Sequence, residues 1–245
     1  MSRLVAHRGQ KHNLPENSLE SIAEAIKCGA SAVEFDVQLT ADSIPVVCHD
    51  ANLRRTAGID IDITRSNFSE IKNISIGESS RFNDQYQSVM LPSLQNMVSM
   101  LKESPQVTAF VELKDESFNA LGIDAVLQPV ISALQPIRKH CVVIADNLSA
   151  LLQLKQLSSL PIGWIIHRWH EDDLATARER QPDYLVVNRK YYNHKKNHDF
   201  SKDDWAWVMY ETCDPQQAIS LFRMGVSYVE TADICSMLKY MPDNI

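Results

Sequence analysis

Glycine is scarce in this chain: seven in 245 residues, the last at Gly225. That excludes a glycine-rich phosphate loop after the seventh or eighth strand, the device expected of a barrel isomerase acting on sugar phosphates. Cysteine is equally uninformative at first sight. Cys28, Cys48, Cys141, Cys213 and Cys235 make an odd set with no C-x-x-C pair. Neither a zinc site nor a disulfide framework is expected, and a reducing compartment fits. No segment approaches the ~20 apolar residues of a membrane span. The stretch Met1-Ser2-Arg3-Leu4-Val5-Ala6-His7 lacks an apolar run of signal-peptide length. A soluble, cytoplasmic protein with no stable membrane insertion is the expectation. Positive charge is also in deficit, with 24 Lys and Arg against 31 Asp and Glu and a net charge of -7. Nucleic acid and anionic membranes want clustered Lys and Arg, so both are poor partners. A small anionic ligand remains open to it through a local metal ion and a few cationic side chains.

What is present is a repeated unit. Short apolar runs occur at Leu4–Ala6, Ala32–Leu39, Val107–Leu113, Cys141–Ala145, Ile162–Ile166, Tyr184–Val187, Trp205–Tyr210 and Tyr228–Glu230. Segments of helical periodicity separate most of them, among them Ser18–Cys28, Leu94–Leu101, Phe118–Leu134 and Pro215–Met224. The weakest is Lys190–Phe200, which is polar. Strand-helix alternation predicts a parallel sheet covered by helices, and eight units favour a closed barrel over an open sheet. One connection is irregular. A further strand-like run, Pro45–Cys48, is followed by a polar stretch from Asn52 to Met90, too long for an ordinary loop. An insertion over roughly 50–90 is expected there, within a single domain spanning 1–245.

Chemistry concentrates at the strand ends. In Val33-Glu34-Phe35-Asp36-Val37 the strand period of two sends Glu34 and Asp36 to the same face. They then stand about 6–7 Å apart along the strand. Two carboxylates in a barrel interior are stable when a cation sits between them. Solvated acids on an exposed edge strand are the bland alternative, and the apolar flanks argue against it. In Phe110-Val111-Glu112-Leu113-Lys114 the same parity pairs Glu112 with Lys114. Glu112 can be a third ligand and Lys114 can neutralise a phosphate oxygen, or the two form an ordinary ion pair at a strand edge. His7 follows Leu4-Val5-Ala6, and His49 follows Val46-Val47-Cys48. A lone histidine after an apolar run is more often structural. Two at strand ends beside carboxylates suit proton transfer near neutral pH. Arg8 offers a planar donor fork for phosphate. An all-oxygen ligand set suggests a hard divalent cation, Mg2+ or Ca2+.

The ordered set His7-Arg8-Gly9, Pro15-Glu16-Asn17-Ser18, Glu34-Phe35-Asp36 and His49-Asp50-Ala51-Asn52-Leu53-Arg54-Arg55-Thr56 resembles the glycerophosphodiester phosphodiesterases. Their pattern reads H-R-G, P-E-N-[ST], E-x-D and H-D-x-x-L-x-R-T. Leu91-Pro92-Ser93-Leu94 and Glu112-Leu113-Lys114 look like the family's P-x-L and E-x-K. The resemblance spans nearly the whole chain and is to the short bacterial members. It implies an α/β fold, a (β/α)8 TIM barrel with a small insertion after the second strand. It implies that Glu34, Asp36 and Glu112 bind the metal and that His7 and His49 are general acid and base. Arg8 and Lys114 would hold the phosphate of a small glycerophosphodiester. Asn17 reads as structural, capping the helix near Ser18. Leu53, Arg54 and Thr56 read as fixing the loop of His49.

The C-terminal half departs from the family. Its W-T-V-N becomes Tyr210-Glu211-Thr212-Cys213, which makes Tyr210 a candidate for the substrate pocket. Its G-V-D-G-x-x-T-D becomes Gly225-Val226-Ser227-Tyr228-Val229-Glu230-Thr231-Ala232. These changes leave open a lysophospholipid substrate, for which Trp164–Trp169 would supply aromatics, or a barrel that binds a phosphodiester without cleaving it.

Overall fold

The structure, a computed structural model, describes residues 3–192 and 198–242. In chain order the strands are β1 (Leu4–His7), β2 (Ala32–Leu39), β3 (Pro45–Val47), β4 (Thr108–Leu113), β5 (Cys141–Ala145), β6 (Ile162–Ile166), β7 (Tyr184–Asn188), β8 (Ala206–Tyr210) and β9 (Tyr228–Thr231). The sheet runs β1-β9-β8-β7-β6-β5-β4-β2, and β1 pairs with β2 to close the ring. Every pairing in the ring is parallel. The expected (β/α)8 barrel is therefore the observed fold.

Alternation along each strand sorts its residues into two cores. Leu4, Ala6, Val33, Phe35, Val37, Val111 and Leu113 belong to the outer core, under the helices. Val5, Ala32, Phe110, Val142, Ile144, Ile165, Val186 and Val208 fill the barrel itself. Phe110 plugs the interior, meeting Tyr184 and Tyr228 edge-on at 5.4 and 5.3 Å between ring centroids. Truncating a fully buried phenylalanine of this kind costs about 3–5 kcal/mol.

The covering helices begin with α1 (Leu19–Lys27), whose N-cap is Ser18, with the Ser18 hydroxyl accepting from the Ser21 N–H at 3.0 Å. Asn17 does not cap this helix, contrary to expectation, because its φ of 58° turns the side chain elsewhere. Three short helices, α2 (Arg54–Ala57), α3 (Phe68–Ile71) and α4 (Ser79–Phe82), lie in the stretch between β3 and α5 (Leu94–Leu101). That stretch has its own small core of Leu53, Ile63, Ile71, Ile76 and Val89 beneath β3. The single helix expected over Phe118–Leu134 is instead α6 (Asp115–Leu121) and α7 (Ile123–Leu134), divided at Gly122 with φ +86°. Helices α8 (Leu148–Leu157), α9 (Glu171–Arg180), α10 (Pro215–Arg223) and α11 (Ile234–Leu238) complete the layer. The helix expected over Lys190–Phe200 falls partly outside the described residues. On either side are 3-10 turns, Arg189–Tyr191 and Phe200–Lys202.

The cysteine expectation is overturned. Cys28, at the C-terminus of α1, is disulfide-bonded to Cys235 in α11, across 207 residues. Closing the ring brings the last helix against the first strand and helix, a proximity that no sequence spacing encodes. Disulfides form and persist in oxidising surroundings, so the case for a reducing compartment loses its cysteine support. Cys48 and Cys141 are buried free thiols and Cys213 is exposed. Among the described residues, no helix is long and apolar enough to cross a membrane.

Candidate active site

Strand register assembles the site. β1 places His7 opposite Glu34, and β4 places Glu112 opposite Asp36. The interior parity of β2 continues from Ala32 to Glu34 and Asp36, so both acids point into the barrel above its apolar filling. β2 is eight residues long and outruns β1. Its last three residues pair instead with antiparallel β3, from Val37 opposite Val47 to Leu39 opposite Pro45. The chain leaving β3 carries His49 to the rim of the same mouth, where it lines a cavity of about 160 Å³ with His7, Arg8, Glu112, Lys114 and Tyr210. Asp146, His167 and Glu230 line it as well.

Glu34, Asp36 and Glu112 each offer an oxygen, and these atoms lie within 4.8 Å of one another. Glu34 and Asp36 are buried, and Glu34 Oε1 and Asp36 Oδ1 have no hydrogen-bond partner. Buried carboxylate oxygens without donors are costly. Converging oxygens of this kind fit a hard divalent cation. Burial pushes the Glu34 carboxyl well above its usual range, and the charges of Asp36, Glu230 and Glu112 add to this. Glu112 is pushed up to about 7, first by burial and then by Asp36. Asp36 goes the other way. Burial alone would raise it, but Arg8, Lys114, His49 and a hydrogen bond from Asn17 hold it well below the carboxylate range.

The support around Asp36 explains much of the motif set. Asn17 Nδ2 donates to Asp36 Oδ2 at 2.8 Å, while Asn17 Oδ1 accepts from the Asp36 backbone N–H at 3.1 Å. Arg8 is paired through Nε with Asp36 at 3.1 Å, and its Nη1 donates to Glu16 at 3.0 Å. Glu16 also receives two hydrogen bonds from Arg55, at 2.7 and 2.9 Å. Arg55 Nε donates to Asp50 at 2.7 Å, and Asp50 faces His49 Nδ1 at 2.6 Å. A continuous chain of ion pairs and hydrogen bonds therefore runs from Asp36 through Arg8, Glu16, Arg55 and Asp50 to His49. Of the neighbours read as structural, Leu53 and Thr56 are buried beneath this loop, whereas Arg54 points outward to Asp60. Lys114 Nζ lies 2.5 Å from Glu112 and 3.6 Å from Asp36. The backbone N–H of Arg8 donates to Glu34 Oε2 at 3.0 Å.

His7 sits deeper than His49. Its Nε2 is 3.8 Å from Glu34 Oε2, and its Nδ1 is hydrogen-bonded to Glu211. Burial lowers the His7 pKa to about 4, with Glu211 opposing. Tyr210 stands on the cavity wall, its ring centroid 6.4 Å from that of His7, and burial raises its phenol. Glu230, on β9, is buried with Oε1 unpartnered, and burial and Glu112 push it up to about 8.

All eight residues singled out from sequence thus gather at one end of the barrel. Sequence reasoning missed Glu16 and Arg55, which stood inside quoted motifs without a role. It missed Glu230, which shares interior parity with Tyr228 and was findable by that signal. Glu211 and Lys11 had no signal, since only the closed ring brings them to His7.

Residues 7–229 match the model of the Glycerophosphoryl diester phosphodiesterase family. Glycerophosphodiester phosphodiesterase 1 of Bos taurus is 28% identical over 164 residues, covering 67% of this chain and 48% of that protein. The chain spans about half the length of the mammalian relatives it matches. A glycerophosphodiester phosphodiesterase of Caldanaerobacter subterraneus is 24% identical over 242 residues, covering 91% of this chain and 98% of the relative. In three dimensions an Oleispira antarctica phosphodiesterase, solved in complex with the product sn-glycerol-3-phosphate, superposes with a TM-score of 0.86 at 22% identity, covering 98% of this chain and 96% of the other. A barrel carrying this ordered set of residues, matched by the family model over almost its whole length, belongs to the glycerophosphoryl diester phosphodiesterase family.

Proposed function

We propose that the chain hydrolyses small glycerophosphodiesters, such as glycerophosphocholine or glycerophosphoethanolamine, to sn-glycerol 3-phosphate and an alcohol. Residues 1–245 act as one domain, with 50–90 as an insertion that presents His49. The observation that carries this reading is a single cavity lined by His7, His49, Arg8 and Lys114, with the oxygens of Glu34, Asp36 and Glu112 converging beside it. Those three carboxylates would hold a divalent cation, Mg2+ or Ca2+, which acts when bound as a Lewis acid toward the phosphate.

The chain's own groups account for the rest. Arg8 and Lys114 bring positive charge to the cavity wall, and a phosphate oxygen placed there meets both. The nucleophile is either water, which gives glycerol 3-phosphate directly, or the neighbouring glycerol hydroxyl, which gives a cyclic phosphate that water then opens by adding to phosphorus as one ring P–O bond breaks. One histidine takes the nucleophile's proton as the new P–O bond forms. The other gives a proton to the departing alcohol oxygen as the old P–O bond breaks. Groups of this type contribute about 10²–10⁴-fold each. A cavity of about 160 Å³, lined by Arg8, Glu112, Lys114, Asp146 and Glu230 beside Ile144, Ile165 and Val186, suits a short polar diester better than a long acyl chain.

The test is release of glycerol 3-phosphate from glycerophosphocholine by purified protein in Mg2+, in Ca2+ and in EDTA. Release that depends on metal supports the reading. Absence of release in either metal overturns the hydrolysis and leaves binding of phosphodiesters, or cleavage of lysophospholipids in detergent, as the outcomes to measure next.

A further inference from the structure

We propose that Glu211 is a positioning residue that holds the His7 imidazole with its proton on Nδ1, and that Lys11 holds Glu211 in place. The inference rests on the reading of His7 as a proton-transfer group. Glu211 Oε2 is hydrogen-bonded to His7 Nδ1, and Lys11 Nζ lies 2.6 Å from the same oxygen. Lys11 Nζ is also 3.0 Å from His7 Nδ1, so the ring nitrogen has two neighbours of opposite character.

Chemistry decides between them. A carboxylate only accepts and an ammonium only donates. Glu211 is a carboxylate near neutral pH: burial would raise it, but His7 and Lys11 hold it down at about 2. If Nδ1 carried the lone pair, that lone pair would face the carboxylate oxygen across a hydrogen-bond contact. With the proton on Nδ1, both His7 and Lys11 donate to one carboxylate oxygen, and the 3.0 Å between Lys11 Nζ and Nδ1 is the spacing of two donors that share that acceptor. The tautomer of a histidine is set by the hydrogen bond its other nitrogen makes. Nε2, the nitrogen turned toward Glu34, is then left as the one that exchanges a proton in the cavity.

The carboxylate is well placed to do this. It follows β8 directly, and Arg189 Nε donates to the Glu211 carbonyl at 3.0 Å. Thr212 N–H donates to the Glu230 carbonyl at 3.0 Å, which anchors the backbone on the other side. The His7 side chain is 11% exposed and that of Glu211 is 32%, so the clamp closes the outer edge of the ring. The W-T-V-N pattern has threonine where Glu211 stands in this chain, so the clamp is a feature of these residues and not of that pattern.

The experiment joins two readouts on the full chain. Nitrogen NMR of 15N-histidine-labelled protein at about pH 8, where imidazole is neutral, reports which nitrogen of His7 bears the proton, with H7A assigning the signal. The wild type is expected to show Nδ1–H, and E211A to shift toward Nε2–H. With glycerophosphocholine and Mg2+, E211A is expected to lose on the order of 10–100-fold in kcat with KM little changed. E211Q, whose amide oxygen still accepts from Nδ1, should recover most of that loss. His7 protonated at Nε2 in the wild type overturns the clamp, as does a fall in kcat in E211A without change of tautomer. Full kcat in E211A beside an inactive H7A also overturns it while sparing the acid-base reading. Full turnover by H7A overturns that reading instead.

Discussion

Asn17 grips Asp36 at both ends, donating to the carboxylate at 2.8 Å and accepting from the backbone N–H at 3.1 Å. Asp36 is fully buried, so neither bond can be replaced by water. N17A should cost about 1–3 kcal/mol for each buried group left unsatisfied. It should also weaken cation binding by about 10–100-fold, as loss of a ligand's outer hydrogen bond does. Thermal melts and Mg2+ titration calorimetry check both. An N17A protein with wild-type metal affinity means that Asn17 serves the fold alone.

The histidines and the carboxylates should separate by readout. H7A and H49A are each expected to lose about 10²–10⁴-fold in kcat, with Mg2+ binding retained. E34Q is expected to lose both turnover and Mg2+ affinity. Parallel calorimetry and product release distinguish the two patterns, and near-normal turnover in H49A removes it from the acid-base pair.

Stability without metal should depend on pH in a defined direction. Glu112 rises from 4.5 to about 7 and Glu230 from 4.5 to about 8, each first through burial and then through neighbouring acids. A carboxyl raised on folding contributes stability that is complete below its unfolded value and is lost as pH climbs through the folded one. His7 falls from 6.5 to about 4, so its own contribution changes only below 6.5. From about pH 6.5 to 8, therefore, the Tm of EDTA-treated protein should fall, and the Tm gained by adding Mg2+ should grow. A gain that stays constant over that interval counts against a cation among these carboxylates.

Arg55 ties Glu16 to Asp50, with two bonds to the first and one to the second. Lysine cannot reproduce that planar fork. R55K should therefore release the loop of His49 and lower kcat more than it alters Mg2+ affinity. Steady-state kinetics with calorimetry provide the check; equal loss of both would place Arg55 with the metal ligands.

The disulfide makes a separate prediction. C28S or C235S should cost about 2–5 kcal/mol, the usual effect of removing a native bridge. Turnover per folded molecule should not change, since neither cysteine lines the cavity. Melts with and without reductant read the first effect, and kcat at a temperature well below the transition reads the second.

The barrel and most of its site were legible in the residues because both depend on local rules. A period of two put Glu34 with Asp36 and Glu112 with Lys114, and an apolar run ending in histidine marked a strand end. Each of these needs only the geometry of one strand. The break at Gly122 was also local, yet the apolar periodicity on both sides disguised it as a single helix.

Other features depend on how distant segments meet, and no local pattern carries them. Asn17 stands next to a helix start and reads as its cap, but its left-handed φ aims it at Asp36. Cys28 and Cys235 are joined only because the ring closes. Glu211 reaches His7 for the same reason, through β8 and β9 standing beside β1. By itself the sequence determined the strands, their inward faces and the residue types that those faces carry, since backbone sterics and burial act within each segment. The tertiary structure alone decided the register between strands and the partners of each charge, because those follow from closure of the barrel.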